Sequence, residues 1–303
     1  PAPPSARLLA DLTEFAGHMI SSWDLDPVYP VLHDLVAPLP FNQQVWHTYL
    51  YLAYYNVVSA RRAFLLCPEP DELPGVCDEF PCATERRNLR GGRVREHVRG
   101  MLRATKGDPC RLFAGLDEEH GVLAGMQLTA RVEAIPGNGR WASYKWGDLS
   151  RYVLGVPVEA DGMGADGATG PCDGMGVLFG MPRTQARSKQ MVQAWEDRAV
   201  NLADELTGRL GYRVQVDQIE TLLCDFHSLV DGAYVVGHDI DLMLWNLLRI
   251  DRADELTQQA FDDVMAARHE ALPHAYLGEL HGWDRPDPAR MRAYKERGVI
   301  LHR

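Results

Sequence analysis

The chain has 303 residues, 46% of them hydrophobic and 24% charged, with a formal net charge of −11. That length supports a large buried core, and so negative an average argues against a protein that coats nucleic acid through bulk positive potential. No apolar run suits a membrane span, and no basic stretch followed by an apolar one marks a secretion signal. The six cysteines (Cys67, Cys77, Cys82, Cys110, Cys172, Cys224) form no C-x-x-C pair, which argues against a zinc ribbon or disulfide framework and for free thiols in a reducing cytoplasm.

Residues 5–20 have the spacing of an amphipathic helix, with Leu8, Leu12, Phe15, Ala16 and Met19 on one stripe. Trp23-Asp24-Leu25-Asp26-Pro27-Val28-Tyr29-Pro30 predicts a rigid, non-helical corner, because each proline fixes its own φ and restricts the residue before it. Such a corner either lines a site or is a packed connection. Residues 45–66 are apolar nearly all round and predict one central helix, whose tyrosines are core residues or stacking surfaces. Residues 73–77 resemble the hairpin of helix-hairpin-helix DNA-binding modules without its final glycine.

Charge is concentrated in residues 84–111, where nine basic side chains face three acids and eight of the nine are arginine. Arginine suits bidentate contact with anions, so this segment points to a local anionic ligand such as DNA phosphate or pyrophosphate. A solvated basic face is the plainer account. Residues 93–106 predict a helix behind Gly91-Gly92, whose exposed N–H groups suit a phosphate.

Residues 139–146 follow a Pro-Gly-Asn turn. Arg140 and Lys145 are candidates for carboxylate or phosphate contact and Tyr144 for positioning. Residues 161–180 hold seven glycines in neither a P-loop nor a Rossmann pattern. They predict an irregular loop, with a lid or an anion-binding nest of amides as the functional alternatives. Residues 188–210 predict the clearest helix, closed by Gly211.

Residues 217–243 are the densest chemical stretch. Asp217, Glu220, Cys224 and His227 share one helical face, with Ile219, Leu222, Leu223, Phe226, Leu229 and Val230 behind them. Asp217 and Glu220 also suit a capping box, and Cys224 alone suits a small buried hydrophobe. Asp231-Gly232 ends that helix, and His238, Asp239 and Asp241 follow. Further helices are expected over residues 242–250 and 253–272. Short strands are expected at 153–158 and 213–216, and a polar, proline-containing tail from 273. The fold predicted is mainly α: a single helical domain (1–303) with few short strands and possible lobes 1–150 and 151–303.

Six segments taken together resemble a known family: 23–30, the aromatic 52–56, 84–90, 139–145, 169–174 and 220–227. They are similar to the amino acid:DNA transferases of bacteriophages, grouped with the alpha-glutamyl/putrescinyl thymine pyrophosphorylases. The resemblance runs from about Trp23 to Asp241. It implies a helical fold distantly like DNA glycosylases. It also implies a reaction in which 5-hydroxymethyluracil in DNA, phosphorylated at its exocyclic oxygen, exchanges phosphate or pyrophosphate for an amine. The partners it implies are that DNA and a small-molecule amino acid or polyamine donor, with no membrane. The setting is the cytoplasm of the phage-infected bacterial host, and Mg²⁺ is the only cofactor entertained.

Site roles follow from the same resemblance. Arg86, Arg87, Arg90 and Arg93 would hold the DNA backbone or the leaving phosphate, and the Gly170-Pro171 turn would cradle that phosphate. Arg140 or Lys145 would meet the donor's carboxylate. Glu220, Asp225, His227 and Asp239 are the general-base candidates, and Cys224 a group that could add to the pyrimidine. Asp24, Asp26, Tyr29, Glu85, Tyr144 and His238 complete the substrate-binding set. A metal-dependent phosphohydrolase or nuclease using His227, His238, Asp239 and Asp241 with Asp225 is the alternative, although their spacing matches no standard metal motif. A DNA-binding module without chemistry is the third reading.

Overall fold

A computed structural model describes residues 5–83, 94–117, 119–180 and 188–272. These residues contain twelve α-helices. They are α1 (Ala6–Ser21), α2 (Val28–Val36), α3 (Phe41–Tyr54), α4 (Val57–Leu66), α5 (Val94–Thr105) and α6 (Gly121–Glu133). After them come α7 (Arg140–Tyr152), α8 (Gly170–Phe179), α9 (Lys189–Leu210), α10 (Val216–Val230), α11 (His238–Leu248) and α12 (Glu255–Ala271). Among the described residues no helix is long and apolar enough to cross a membrane.

The helices gather into two compact units. One draws on the N-terminal segment up to Pro27 and on Gly162–Leu248; the other on Val28–Asp161 and Arg249–Leu272. In the first unit the apolar stripe of α1 packs with α8, α9 and α10, joining Phe15, Met175, Trp195, Leu222 and Phe226 in one core. Ser5 caps α1 by accepting from the Leu8 N–H at 3.2 Å, and Ser188 caps α9 through Met191 N–H at 3.2 Å. Gly211, at φ 77°, closes α9 as its sequence position predicts.

The glycine-rich run does not form the expected loop throughout, because its second half is α8. Pro171 occupies the first turn, where a missing N–H costs nothing. Gly170 and Gly174, one turn apart, form a face without side chains that lies directly on α10. A Cβ on Gly170 would overlap Cys224 Sγ, and one on Gly174 would overlap the Leu223 carbonyl. Ahead of α8, the Met163 and Ala165 N–H groups donate to Glu196 at 2.7 and 2.6 Å, so a carboxylate of the protein fills the amides that an anion nest would use.

In the second unit the helix expected over 45–66 is broken in two. Tyr55 adopts a left-handed backbone, φ 48°, and Asn56 caps α4 by accepting from Ser59 N–H at 3.0 Å. Hydrophobic periodicity runs through the break, since both halves face the same core, and hides the cap. The predicted corner is shorter than expected, because α2 already includes Pro30 in its first turn. Residues 73–77 are no hairpin: they lead into a 3₁₀ turn, Gly75–Glu79, tied to α5 by Arg95 Nε donating to the Leu73 carbonyl at 2.7 Å.

The two expected strands are absent among the described residues. Residues 153–158 fold back on α7, with Val156 N–H donating to the Ser150 carbonyl at 2.9 Å. Val214 N–H donates to Thr207 Oγ1 at 2.8 Å on α9. Their β-branched residues fill core positions (Val158 and Val214 are buried), and neither segment has a neighbouring strand to pair with.

The glycine face of α8 makes a specific prediction. Gly174→Ala is expected to destabilise the protein by about 1–3 kcal/mol, seen as a lower urea midpoint, because backbone rather than a flexible side chain blocks the new methyl. Gly208→Ala on α9, where nothing lies within 4 Å, is expected to be neutral or to stabilise by up to about 1 kcal/mol.

Candidate active site

In the first unit the chain leaves α1 through a turn in which Trp23 has φ 61°, an unusual backbone for so large a residue, and an exposed side chain. The next residue, Asp24, has no exposed surface. Its carboxyl closes the N-terminus of α11, accepting from Gly237 N–H at 2.6 Å and Ile240 N–H at 3.3 Å. A helix N-terminus favours a carboxylate. Burial works the other way and is the larger effect. With the nearby Asp239 charge it pushes the Asp24 carboxyl up from 3.8 to about 7, against the hydrogen bonds from Gly237, Tyr234 and Ile240.

Tyr234 joins the two carboxyls. Its hydroxyl donates to Asp24 Oδ2 at 2.9 Å and lies 3.1 Å from Asp239 Oδ2. Its ring meets the edge of Phe15, 6.1 Å between centroids, and Phe15 in turn packs on Phe226. Burial, then the charges of Asp24, Asp239 and Asp225, hold the phenol well above its usual value of 10. His238 Nδ1 lies 3.1 Å from Asp239 Oδ1. The result is a connected chain of carboxyl, phenol, carboxylate and imidazole.

The expected site residues of α10 are distributed differently. Its N-terminus is capped by Gln218, whose side chain accepts from Gln215 N–H at 2.9 Å, and not by the expected Asp217–Glu220 pair; Asp217 is buried in the first turn. Glu220 accepts from Thr221 Oγ1 at 3.2 Å. Cys224 lies against Gly170. Asp225 acts on Tyr234 through its charge. His227 Nε2 pairs with Asp231 at 3.1 Å. Asp26 is half-buried and Asp241 buried. His227, His238, Asp239 and Asp241 do not converge: among the described residues no group of three or more His, Cys, Asp or Glu is placed to hold a metal ion. The metal-dependent alternative therefore lacks the ligand set it was built on.

The second unit has its own cluster. Lys145 Nζ donates to Tyr29 Oη at 3.1 Å and to Asp148 Oδ2 at 3.3 Å, and the Tyr29 hydroxyl donates to the same carboxylate at 3.2 Å. Tyr29 stacks on Tyr152 with centroids 6.0 Å apart. Arg140 and Tyr144 are half-buried on α7. In the basic segment, Arg95 and Arg99 meet Asp78 and Glu72 at 3.9 and 3.1 Å. Glu85, Arg86, Arg87, Arg90 and Arg93 lie outside the described residues.

Reasoning from sequence thus selected Asp24, His238 and Asp239 in one cluster and Tyr29 and Lys145 in the other. It missed the residues that link them, Tyr234 and Asp148. Asp148 had a signal, its position three residues after Lys145 on a helix. Tyr234 had only its place between Gly232 and Gly237, both at positive φ.

Residues 80–234 match the model of the amino acid:DNA transferase family. The chain belongs to that family. It is 24% identical over 257 residues to a glycinyltransferase of Pseudomonas phage PaMx11, covering 76% of this chain and 87% of the relative. It is 23% identical over 279 residues to a putrescinyltransferase of Delftia phage PhiW-14, covering 87% of this chain and 86% of the relative. The family match takes in Arg140, Lys145, Glu220 and Tyr234.

Asp24 sets a pH dependence for this transferase. In the unfolded chain its carboxyl loses its proton near 3.8, and in the native protein only near 7. Between those values the native state holds one more proton. The associated stability is therefore fully present below the lower value and is lost as pH rises through about 7. The span corresponds to roughly 4 kcal/mol at most. Urea unfolding of wild type and Asp24→Asn between about pH 4 and about pH 8 checks this. The wild-type stability should fall with rising pH relative to the variant.

Proposed function

We propose that this transferase moves the amine of an amino acid or polyamine onto the exocyclic methylene of a phosphorylated 5-hydroxymethyluracil in DNA, releasing phosphate or pyrophosphate, in the cytoplasm of a phage-infected bacterium. Family membership supports transfer to DNA. The names of the two relatives span an amino acid and a polyamine donor.

The observation that carries the reading is the pairing of a carboxyl near neutrality, Asp24, with the more accessible carboxylate Asp239. An amine attacks carbon only when unprotonated and then carries one proton too many. A base working near neutral pH meets both needs. Asp239 is the group that faces the amine in this reading, since Asp24 has no exposed surface. Departure of the phosphate needs positive charge nearby, a role for Arg86, Arg87, Arg90 and Arg93. The reacting base must leave its stack to be reached. A donor carboxylate calls for a cation, the role that the family resemblance gives to Arg140 or Lys145.

The test incubates the protein with DNA carrying phosphorylated 5-hydroxymethyluracil and glycine, other amino acids or putrescine, followed by digestion to nucleosides and mass spectrometry. A nucleoside heavier by the donor residue is expected. No mass gain with any donor overturns the reading. Where an amino acid is the donor, Arg140→Ala is expected to raise its KM by about tenfold, the loss of one charge-assisted contact, and to leave putrescine unaffected if that amine is also used.

A further inference from the structure

We infer that Tyr234 is the proton link of this site: it connects Asp239, where the amine's proton arrives, to Asp24, where that proton is stored. The inference rests on the transfer reaction proposed above and assigns a residue to it. Asp24 is fully buried and Tyr234 is 4% exposed, whereas the Asp239 side chain is 34% exposed. A substrate amine therefore meets Asp239 and cannot meet Asp24. One hydroxyl, 2.9 Å from one carboxyl and 3.1 Å from the other, is the bridge between them.

The stoichiometry of that bridge constrains its chemistry. A phenol has one proton to donate and lone pairs to accept with. With both carboxyls ionised it satisfies only one of them, and with one protonated the whole chain is satisfied. Among the described residues, the groups facing it include Asp24 from the turn after α1, Asp225 from α10, Asp239 and His238 from α11, and the apolar Phe15 from α1. Three carboxyls around one phenol, each raising its proton affinity, favour holding a proton.

The step balances as follows. The amine nitrogen forms a bond to the methylene carbon, and the C–O bond breaks with its electron pair leaving on phosphate. The ammonium so formed gives a proton to Asp239. Asp239 passes a proton to the Tyr234 oxygen as Tyr234 passes its own to Asp24 Oδ2. Asp239 and Tyr234 return to their starting states, and Asp24 holds the proton until it passes back through the Tyr234 hydroxyl to Asp239, which meets solvent. Tyr234 touches no reacting atom, so it is a positioning residue.

Tyr234→Phe keeps the ring against Phe15 and removes the hydroxyl. The expected result is a fall in kcat of about 100-fold, the scale of general acid–base catalysis, with KM for DNA and donor changed less than about twofold. The acid limb of the kcat profile should shift, because the hydroxyl that links the two carboxyls is gone. The wild-type proton inventory in mixed H₂O and D₂O should be curved, with two protons in motion, and that of the variant linear. Loss of activity with an unchanged pH profile and inventory would mean that the hydroxyl only braces the fold, and would overturn the inference, as would activity within about threefold of wild type. Should the variant fail to fold, Asp24→Asn removes the proton store, and an unaltered acid limb there overturns it equally. Absence of product from wild type itself defeats the proposed reaction. Carbon-13 titration of the Asp24 carboxyl then decides the link separately: its curve should change in Tyr234→Phe, and identical curves in wild type and variant overturn it.

Discussion

A single carboxyl group with no access to solvent holds the first unit's chemistry in place. Asp24 accepts the first amides of α11 and the Tyr234 hydroxyl together, so the turn after α1, the segment before α11 and α11 itself share one anchor. Gly237, at φ 86°, gives the backbone the bend that brings its N–H to that carboxyl. An ionised carboxylate would suit three donors, yet burial costs the charged form more than those donors return, and Asp239 adds repulsion. The same geometry that fixes a helix therefore leaves a group able to take up and lose a proton near neutral pH. Perturbed groups of this kind cluster where proteins do chemistry.

Close backbone packing is the second constraint. Gly170 and Gly174 let α8 rest on α10 with no side chain between them, which fixes the face of α10 that carries Cys224. The second unit repeats the device: Gly121 and Gly125 of α6 meet the 157–159 segment, and a Cβ on Gly125 would overlap the Glu159 carbonyl. Glycines that suggest a mobile loop in a sequence act here as contact surfaces.

The polar clusters differ in electrostatic character. Around Tyr234 the partners are acids, and the surplus negative charge raises proton affinity. Around Tyr29 a lysine and an aspartate neutralise one another, and the phenol completes a triangle that stiffens α2 against α7. An acid-rich cluster suits proton uptake; a neutralised one suits positioning.

Much of this protein is determined by local sequence. Apolar stripes point to α1 and α9, and Gly211 to the end of α9, because these signals act within one or two turns; the Ser5 and Ser188 caps come from the structure. The motifs around Trp23, Arg140 and Glu220 carried the family resemblance, and with it Asp24 and Asp239 as candidates. Tertiary structure decided the rest. The break at Tyr55 was hidden because both helix halves pack on one core. The α8 helix was hidden because glycine's low helix propensity is outweighed by the contact it permits with α10. Tyr234 was hidden because a lone tyrosine in a turn shows nothing of the 210 residues that separate it from Asp24 in the chain. Sequence could name the acids. Only folding could bury one, leave the other accessible and set a hydroxyl between them, since desolvation and hydrogen-bond geometry are properties of the packed interior.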